Sequence, residues 1–315
     1  MSKRIQLLHK KDKRTIAQTI SQIEKQDQEN IQKLMQELFP YTGTSYVIGI
    51  TGPPGAGKST LIGSMITLLR EKGLTVGVLA IDPTSPFSGG AILGDRIRMN
   101  RHATDEGIFL RSMANRGNVG GLSQYTRNAL RVLDVAGFDI VFIETVGVGQ
   151  SELSISHLAD TVLVVLHPGA GDMIQVTKSG VMEIADIYVV NKADQIGASR
   201  LVAELEDHLE IAKTHSQWLP SVVAASSQLN QGMELLWDAI QKHHRFLTES
   251  GNLEKQRSLN LLQEMKEELQ NLFEQKSQAL LKQAYVQEML FTLQKGELSI
   301  QEVTTQLANK LFGSK

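Results

Sequence analysis

A glycine-rich run between two different apolar patterns constrains the fold of this chain more than any other feature. Residues 46–51 are apolar and mostly β-branched, residues 52–60 read Gly-Pro-Pro-Gly-Ala-Gly-Lys-Ser-Thr, and a helical spacing of apolar residues follows from 58 to 72. A strand that leads through glycines into a helix N-terminus gathers backbone N–H groups around one point. The run therefore predicts a strand–loop–helix unit that holds phosphate groups.

The residue types of this run assign a role to each part. Its glycines let the backbone bend around the phosphates, Lys58 should reach the β- and γ-phosphates, and Ser59 should ligate Mg²⁺. The predicted nucleotide contacts are Gly52, Pro53, Pro54, Gly55, Ala56, Gly57, Lys58, Ser59 and Thr60.

Further apolar runs indicate the fold class. Residues 75–81, 140–143, 161–166, 187–190 and 221–225 lack polar alternation, as strands buried on both faces do. Helical patterns lie between most of them, and repeated β–α alternation is typical of parallel sheets with right-handed crossovers. We predict an α/β fold with a doubly wound, mainly parallel sheet of the P-loop NTPase type.

Helical segments flank this region. Residues 1–44 carry isoleucines and leucines at helical spacing and predict two amphipathic helices that stop at Pro40. The nucleotide domain should span 45–246, and 247–315 should be a helical arm with an apolar stripe at Leu262, Met265, Leu269 and Leu272. Two heptads are too few to decide whether that stripe packs within its own chain or forms a dimer interface.

The base is indicated by the sequence Asn191-Lys192-Ala193-Asp194, which follows the apolar run 187–190. A carboxylate at Asp194 can accept from the N1–H and 2-amino groups of guanine, whereas adenine offers no such pair of donors. Asn191 could tie this loop to the phosphate loop, and the stem of Lys192 could cover the ring. We also expect backbone contacts to guanine from Ser226, Ser227 and Gln228, with Ser227 at the position where GTPases usually carry alanine. GTP and GDP are the predicted ligands.

A triphosphate site also needs metal-orienting acids. Glu144 ends an apolar strand and could face Mg²⁺, where a glutamate in place of the usual aspartate favours contact through water. Gly147 could offer its N–H to the γ-phosphate, and Asp82 and Asp95 could bind metal or position water. The alternatives remain open: Glu144 and Asp95 as helix caps, and Asp82 as a turn residue at a strand end.

Composition excludes several other classes. The chain has 315 residues, no cysteine and a net charge of −2. Disulfides and thiolate metal sites are therefore excluded, and the charge gives no sign of a nucleic-acid partner. No apolar run reaches the ~18 residues of a membrane span, and no secretory signal pattern is present. We expect a cytoplasmic protein without a membrane or nucleic-acid partner.

These motifs together resemble the methylmalonyl-CoA mutase-associated GTPases, a branch of the SIMIBI class of P-loop proteins. The matching residues are 52–60, 82–90, 92–96, 116–117, 120–121, 144–152, 168–172 and 191–194. The resemblance implies a GTP-hydrolysing chaperone of an adenosylcobalamin-dependent acyl-CoA mutase, which gates cofactor loading and protects the mutase.

The resemblance also implies residue roles and an assembly. It makes Asp82, Asp95 and Glu144 residues of the Mg²⁺ site and of catalysis. Lys58, which should reach the phosphates, is a further expected catalytic residue. It places switch functions at Gln150, Asp172 and Lys178, although Met173 stands where the family is expected to carry an acid. It further implies a homodimer joined through the C-terminal helices.

Two other functions are compatible with a phosphate loop. A small-molecule kinase would use ATP, against which the sequence Asn191–Asp194 argues. A GTPase metallochaperone commonly carries Cys or His clusters, and this chain offers only the adjacent pair His243 and His244, which is more typical of a helix end.

Overall fold

A seven-stranded sheet organises the chain in the computed structural model, which describes residues 1–25, 28–83, 104–115, 124–145, 151–169, 180–212 and 217–313. Its strands are β1 (Tyr46–Thr51), β2 (Val76–Pro83), β3 (Ile108–Asn115), β4 (Ile140–Thr145), β5 (Thr161–Leu166), β6 (Ile187–Val190) and β7 (Ser221–Ala224). They are arranged in the order β3-β2-β4-β1-β5-β6-β7, and adjacent strands are parallel.

Eleven α-helices are seen in the same described ranges. They are α1 (Lys3–His9), α2 (Lys13–Lys25), α3 (Gln28–Leu38), α4 (Lys58–Glu71), α5 (Gln124–Val135), α6 (Ser151–Ser154), α7 (Ala198–Ala212), α8 (Met233–Glu249), α9 (Asn252–Leu281), α10 (Ala284–Gln294) and α11 (Ile300–Phe312). Along these ranges, no helix combines the length and the apolar character that crossing a membrane requires.

Both faces of the sheet are covered by helices. One buried cluster joins α4 and α8 to one face of the strands, and a second joins α1, α2, α3, α5 and α7 to the other. Strands β1, β4 and β5 are buried along their whole length, which explains their continuous apolar sequences. The predicted doubly wound α/β sheet is therefore confirmed.

Some elements differ from the sequence prediction. Strand β3 was not predicted, because Arg111, Ser112 and Asn115 interrupt its apolar character. It lies at the edge of the sheet, where only one neighbouring strand has to be matched. Helix α1 was also missed, since only Ile5 and Leu8 of its seven residues are buried. Helix α3 ends at Leu38, which confirms Pro40 as a stop signal.

The segment that links the N-terminal helices to the sheet is tied down by one carboxylate. Asp134 of α5 accepts hydrogen bonds from the backbone N–H groups of Gly43, Thr44 and Ser45 at 2.5, 3.0 and 2.8 Å. Three converging donors stabilise a negative charge, so Asp134 fixes the entry into β1.

The chain divides into two compact units, Met1–Glu254 and Lys255–Lys315. The first contains the sheet and all the helices up to α8. The second is helical, and inside it the rings of Phe273 and Phe312 stack with centroids 5.9 Å apart. Ser299 caps α11 in a reciprocal arrangement with Glu302. The three-part division at residues 44 and 246 stays a prediction.

Candidate functional site

The predicted site residues that the structure describes lie where the central parallel strands end. Ile50 of β1 is in register with Glu144 of β4. Beyond that pair, the Thr145 hydroxyl donates to the Thr51 hydroxyl at 3.0 Å, and both threonines are fully buried. The loop after β1 and the acid at the end of β4 are therefore neighbours. Carboxyl ends of parallel strands are the usual position of a ligand site in such folds.

Two glycines of the loop 52–57 occupy positions that other residues could not. Gly52 has φ +136°, and a Cβ there would lie 2.1 Å from the carbonyl oxygen of Val165. Gly57 has φ +87°, and its Cβ would lie 2.5 Å from Nδ2 of Asn191. Both positions need the left-handed region and a close backbone approach, which explains why the loop requires glycine.

Helix α4 begins at Lys58, directly after this loop, and its first N–H groups point towards it. Lys58 and Ser59 are 7% and 8% exposed. The Lys58 ammonium donates to the carbonyl oxygens of Gly52 at 2.7 Å and Pro53 at 3.1 Å. The loop carbonyls therefore hold Lys58, the only basic residue of the run 52–60, at the N-terminus of α4. Ala56 is buried, Pro53 and Thr60 are half-buried, and Pro54 and Gly55 are exposed.

Ser59 and Glu144, the two described residues predicted to share a metal ion, lie in direct contact. The Ser59 hydroxyl donates to Oε1 of Glu144 at 2.7 Å, and Glu144 is 4% exposed. A hydroxyl and a carboxylate are the hard oxygen ligands that Mg²⁺ prefers, usually beside waters and phosphate oxygens. Within the described ranges, no three acids or histidines lie close enough together to hold a metal ion by themselves. The pair therefore fits an Mg²⁺ that completes its shell with phosphate and water.

Other predicted metal and switch residues are placed only partly. Asp82 lies in β2 in register with Ala114 of β3. Asp95, Gly147, Gln150, Asp172 and Lys178 lie outside the described residues. Their roles stay predictions.

A buried amide joins the predicted base loop to the phosphate loop. Asn191 is fully buried; its Nδ2 donates to the carbonyl oxygen of Ala56 at 2.8 Å, and its Oδ1 accepts from the N–H of Ser227 at 3.1 Å. Its backbone N–H donates to Leu166 at the end of β5. The side chain of Asn191 therefore joins its own loop to the loops 52–57 and 226–228. Its amide nitrogen faces an acceptor and its amide oxygen faces a donor.

Asp194 and Lys192 are more exposed to solvent than Asn191. The Asp194 carboxylate accepts from the Ser226 hydroxyl at 2.5 Å, and the residue is exposed. Lys192 takes a left-handed backbone conformation with φ +56° and is half-buried. Gln228 is exposed, whereas Ser226 and Ser227 are buried. The structure thus brings 191–194 and 226–228 into one cluster beside the loop 52–57.

Sequence reasoning missed one contact of this cluster. Ser64 of α4 donates its hydroxyl to the carbonyl oxygen of Ser227 at 2.8 Å. No motif includes Ser64, because the two residues are 163 positions apart and meet only through the fold. The Thr51–Thr145 pair was missed for the same reason.

A cluster of polar residues with shifted pKa values lies at the amino ends of the strands, opposite the predicted nucleotide site. The imidazole Nδ1 of His243 is 2.7 Å from the hydroxyl of Thr161, and its Nε2 is 3.4 Å from Oδ1 of Asp186. Burial raises the pKa of Asp186 to about 7 and lowers the pKa of His243 to about 4. Tyr188 lies outside this cluster: its hydroxyl donates to the Met182 carbonyl oxygen, and burial raises its pKa to about 12. Asp186 directly precedes β6, and Thr161 is the first residue of β5. The cluster therefore lies at the amino ends of the strands, whereas the nucleotide loops lie at their carboxyl ends. His243 is therefore a core residue of α8.

Comparison with known proteins agrees with this architecture. A family model described as methylmalonyl Co-A mutase-associated GTPase MeaB matches residues 16–282. A putative GTPase of Pyrococcus abyssi is 43% identical over 312 residues, which cover 98% of this chain and 96% of that protein. The GTPase ArgK of Escherichia coli is 36% identical over 286 residues, 87% of this chain and 86% of that protein. The crystal structure of an LAO/AO transport system kinase superposes with a TM-score of 0.71 at 27% identity, covering 98% and 96% of the two chains.

Proposed function

This chain belongs to the family of methylmalonyl-CoA mutase-associated GTPases, and from this we propose that it is a chaperone of an adenosylcobalamin-dependent acyl-CoA mutase. In this proposal, GTP binding and hydrolysis control the action of the chaperone. The family is named for its association with such a mutase, and the relatives are named GTPases. Gating of cofactor loading and protection of the mutase are the parts of this function that the resemblance implies.

The observation that carries the guanine assignment is the position of Asn191. Its side chain contacts Ala56 of the phosphate loop and Ser227 of the base loop at once. The exposed carboxylate of Asp194 is then held beside the phosphate site by the Ser226 hydroxyl, where it can accept from guanine N1–H and the 2-amino group. Lys192, Gln228 and the loop 52–60 complete the proposed contacts to GTP and GDP.

Hydrolysis would use few side chains, since phosphoryl transfer depends mainly on positioning and charge stabilisation. Lys58 supplies positive charge at the phosphate loop, and the N-terminus of α4 adds its dipole. Ser59 and Glu144 would hold Mg²⁺, which neutralises charge on the transferred phosphoryl group when bound. We assign Asp82 and Asp95 to the same centre and the Gly147 N–H to the γ-phosphate.

Communication with the mutase is assigned to the segments after β4 and β5. Gln150, Asp172 and Lys178 are the proposed switch residues, since each follows a strand that ends at the nucleotide site. We further propose a cytoplasmic homodimer joined through the C-terminal helices, without membrane or nucleic-acid partners, and with functional segments 1–44, 45–246 and 247–315.

The alternatives have less support. One similar solved structure is that of a protein named as a kinase, but a kinase that uses ATP would gain nothing from the carboxylate of Asp194. The metallochaperone hypothesis needs His243 as a metal ligand. This residue is 2% exposed, and its imidazole is hydrogen-bonded to the Thr161 hydroxyl. Equal affinity for ATP and GTP would restore the first alternative, and tight Ni²⁺ or Zn²⁺ binding would restore the second.

The test is GTP turnover with and without the mutase. We expect slow hydrolysis by the chain alone and faster hydrolysis when an adenosylcobalamin-dependent acyl-CoA mutase is added at saturating concentration. Lys58→Ala, which removes the charge at the phosphates, should abolish turnover in both conditions. A turnover number that the mutase does not change would refute the proposed coupling.

A further inference from the structure

Ser64 connects the helix that begins at the phosphates to the loop proposed to read the base. It lies on α4, between the phosphate-binding start of that helix and its end at Glu71. Its hydroxyl donates to the Ser227 carbonyl oxygen at 2.8 Å and is partly buried. A serine hydroxyl inside a helix often bonds to its own preceding turn, so a bond to another loop is a specific tertiary contact.

This hydrogen bond fixes the orientation of a whole peptide group. The Ser227 carbonyl and the Gln228 N–H belong to the same planar trans peptide and point in opposite directions. When Ser64 holds the carbonyl towards α4, the Gln228 N–H must point away from α4, on the side where Gln228 is exposed. The preceding N–H, that of Ser227, is already bound to Asn191. Within the described ranges, the structure gives the Gln228 N–H no acceptor.

We propose that Ser64 is a positioning residue for guanine specificity, which aims the Gln228 N–H at the 6-oxo group of the base. The inference rests on the base-loop assignment made above and adds a residue that no motif contains. A 6-oxo group accepts this N–H, whereas the 6-amino group of adenine would set a donor against a donor. The discrimination by Asp194 at positions 1 and 2 of the ring is thereby extended to position 6.

Ser64 borders a pocket, so loss of its hydroxyl should affect nucleotide specificity more than stability. A pocket of about 370 Å³ lies beside it, lined by Thr67 and Glu71 of α4 and by Asn230 and Met233 near the start of α8. Water in this pocket can hydrogen-bond to the Ser227 carbonyl if the hydroxyl is removed, so the free energy of unfolding should change little. Water does not fix the direction of the peptide, so the aim of the Gln228 N–H is lost.

The experiment compares GTP with the triphosphate of 2-aminopurine riboside, which lacks the 6-oxo group and the N1–H that accompanies it but keeps the 2-amino group for Asp194. Because the N1–H is missing in every variant, only the response of each nucleotide to the Ser64 substitution is compared. In Ser64→Ala we expect KM for GTP to rise about 2- to 12-fold, the loss of roughly one neutral hydrogen bond, with little change in kcat. KM for the 2-aminopurine nucleotide should stay unchanged, so that the preference for GTP shrinks by the same factor. Thr67→Ala is the matched control, because Thr67 lines the same pocket but donates to Gly63 of its own helix.

A second pair of variants keeps the test independent of stability. Ser64→Thr and Ser64→Val have the same shape and differ only in the hydroxyl, and the pocket leaves room for the added methyl groups. Ser64→Thr should keep the preference for GTP, and Ser64→Val should lose it. Equal KM changes for both nucleotides, or equal behaviour of the Thr and Val variants, would overturn the proposal. If Asp194→Asn also left GTP affinity unchanged, the base-loop assignment itself would fail; if only the Ser64 variants failed, that assignment would stand.

Discussion

Single residues at the nucleotide site act through contacts between distant parts of the chain. Asn191 bonds to Ala56 and Ser227, and the Cβ that Gly57 lacks would collide with its Nδ2. The absence of a side chain at residue 57 and the amide at residue 191 are therefore parts of one arrangement. It holds the two loops predicted to bind phosphate and base at a fixed separation, so that both ends of one nucleotide could be bound at once.

The carboxylate of Asp194 gives the sharpest prediction at this scale. In Asp194→Asn, the amide oxygen still accepts from Ser226, and the new NH₂ group can donate to the 2-oxo group of xanthine. We expect kcat/KM to fall roughly 10- to 150-fold for GTP, the loss of hydrogen bonds to a charged group, and to rise for XTP. Steady-state hydrolysis of both nucleotides measures the change.

A matched control is available on helix α7. Asp207 is exposed in the third turn of α7, outside both loops, so Asp207→Asn makes the same chemical change away from the base loop. Its kinetics with GTP should equal those of the unmodified chain. An Asp194→Asn protein with unaltered GTP affinity would remove Asp194 from the base site.

How far the site could be predicted depends on whether its residues are contiguous. The loop 52–60 and the sequence 191–194 each carry their chemistry in a short run, so their types alone predict a phosphate and a base site. Ser59 and Glu144 could be named from the sequence, but their 2.7 Å contact depends on β1 and β4 pairing. Ser64 could not be named, since its partner is known only from the fold.

At the scale of elements, the same argument explains which strands were missed. Strands with both faces buried, such as β1, β4 and β5, have uniform apolar sequences and were predicted. The edge strand β3 carries Arg111, whose guanidinium forms an ion pair with Glu24 of α2. The charged residue that obscured β3 in the sequence thus contacts helix α2.

The junction of β5, β6 and α8 makes stability depend on pH. Burial raises the pKa of Asp186 from 3.8 to about 7. The folded state therefore binds this proton more tightly than the unfolded state, and the resulting stability is fully present below about pH 4 and lost as the pH rises through about 7. Asp186→Asn keeps an acceptor for the Val162 N–H and cannot ionise. We expect its free energy of unfolding, relative to the unmodified chain, to increase between pH 4 and 7 in denaturant titrations.

Asp139 provides the control with the opposite sign. Its burial raises the pKa, but hydrogen bonds from the N–H and hydroxyl of Thr75, both 2.7 Å, hold the pKa below its ordinary value. Its stability contribution is present above about pH 4 and lost in more acidic solution. Asp139→Asn should therefore show a constant difference between pH 4 and 7. A constant difference for Asp186→Asn over that range would contradict the proposed cost of ionising this carboxyl.

For the whole molecule, the helical unit 255–315 raises the question of assembly. Leu262, Met265, Leu269 and Leu272 of α9 are between 44% and 65% exposed, and they follow one another at helical spacing. An exposed apolar stripe of this kind is typical of a helix that meets a partner. Its sequence predicted the helix but not the partner, because packing within a chain and between chains uses the same spacing.

The proposed dimer can be tested with one substitution on this stripe. Leu269→Lys places a charge in the interface and should convert a dimer to a monomer in light-scattering measurements, without lowering the melting temperature of the first unit. Gln270→Lys adds the same charge at the neighbouring exposed position, off the stripe, and should remain dimeric. A monomeric unmodified chain would contradict the assignment.

The proposed chaperone function requires that the bound nucleotide sets the affinity of this GTPase for an acyl-CoA mutase. The most direct measurement is the dissociation constant of the mutase complex, determined with the chain held in a non-hydrolysable GTP analogue and again in GDP. An allosteric coupling of ordinary size predicts that the two constants differ about 5- to 150-fold, and that the difference disappears in Lys58→Ala. Equal dissociation constants in the two nucleotide states would contradict the proposed chaperone function.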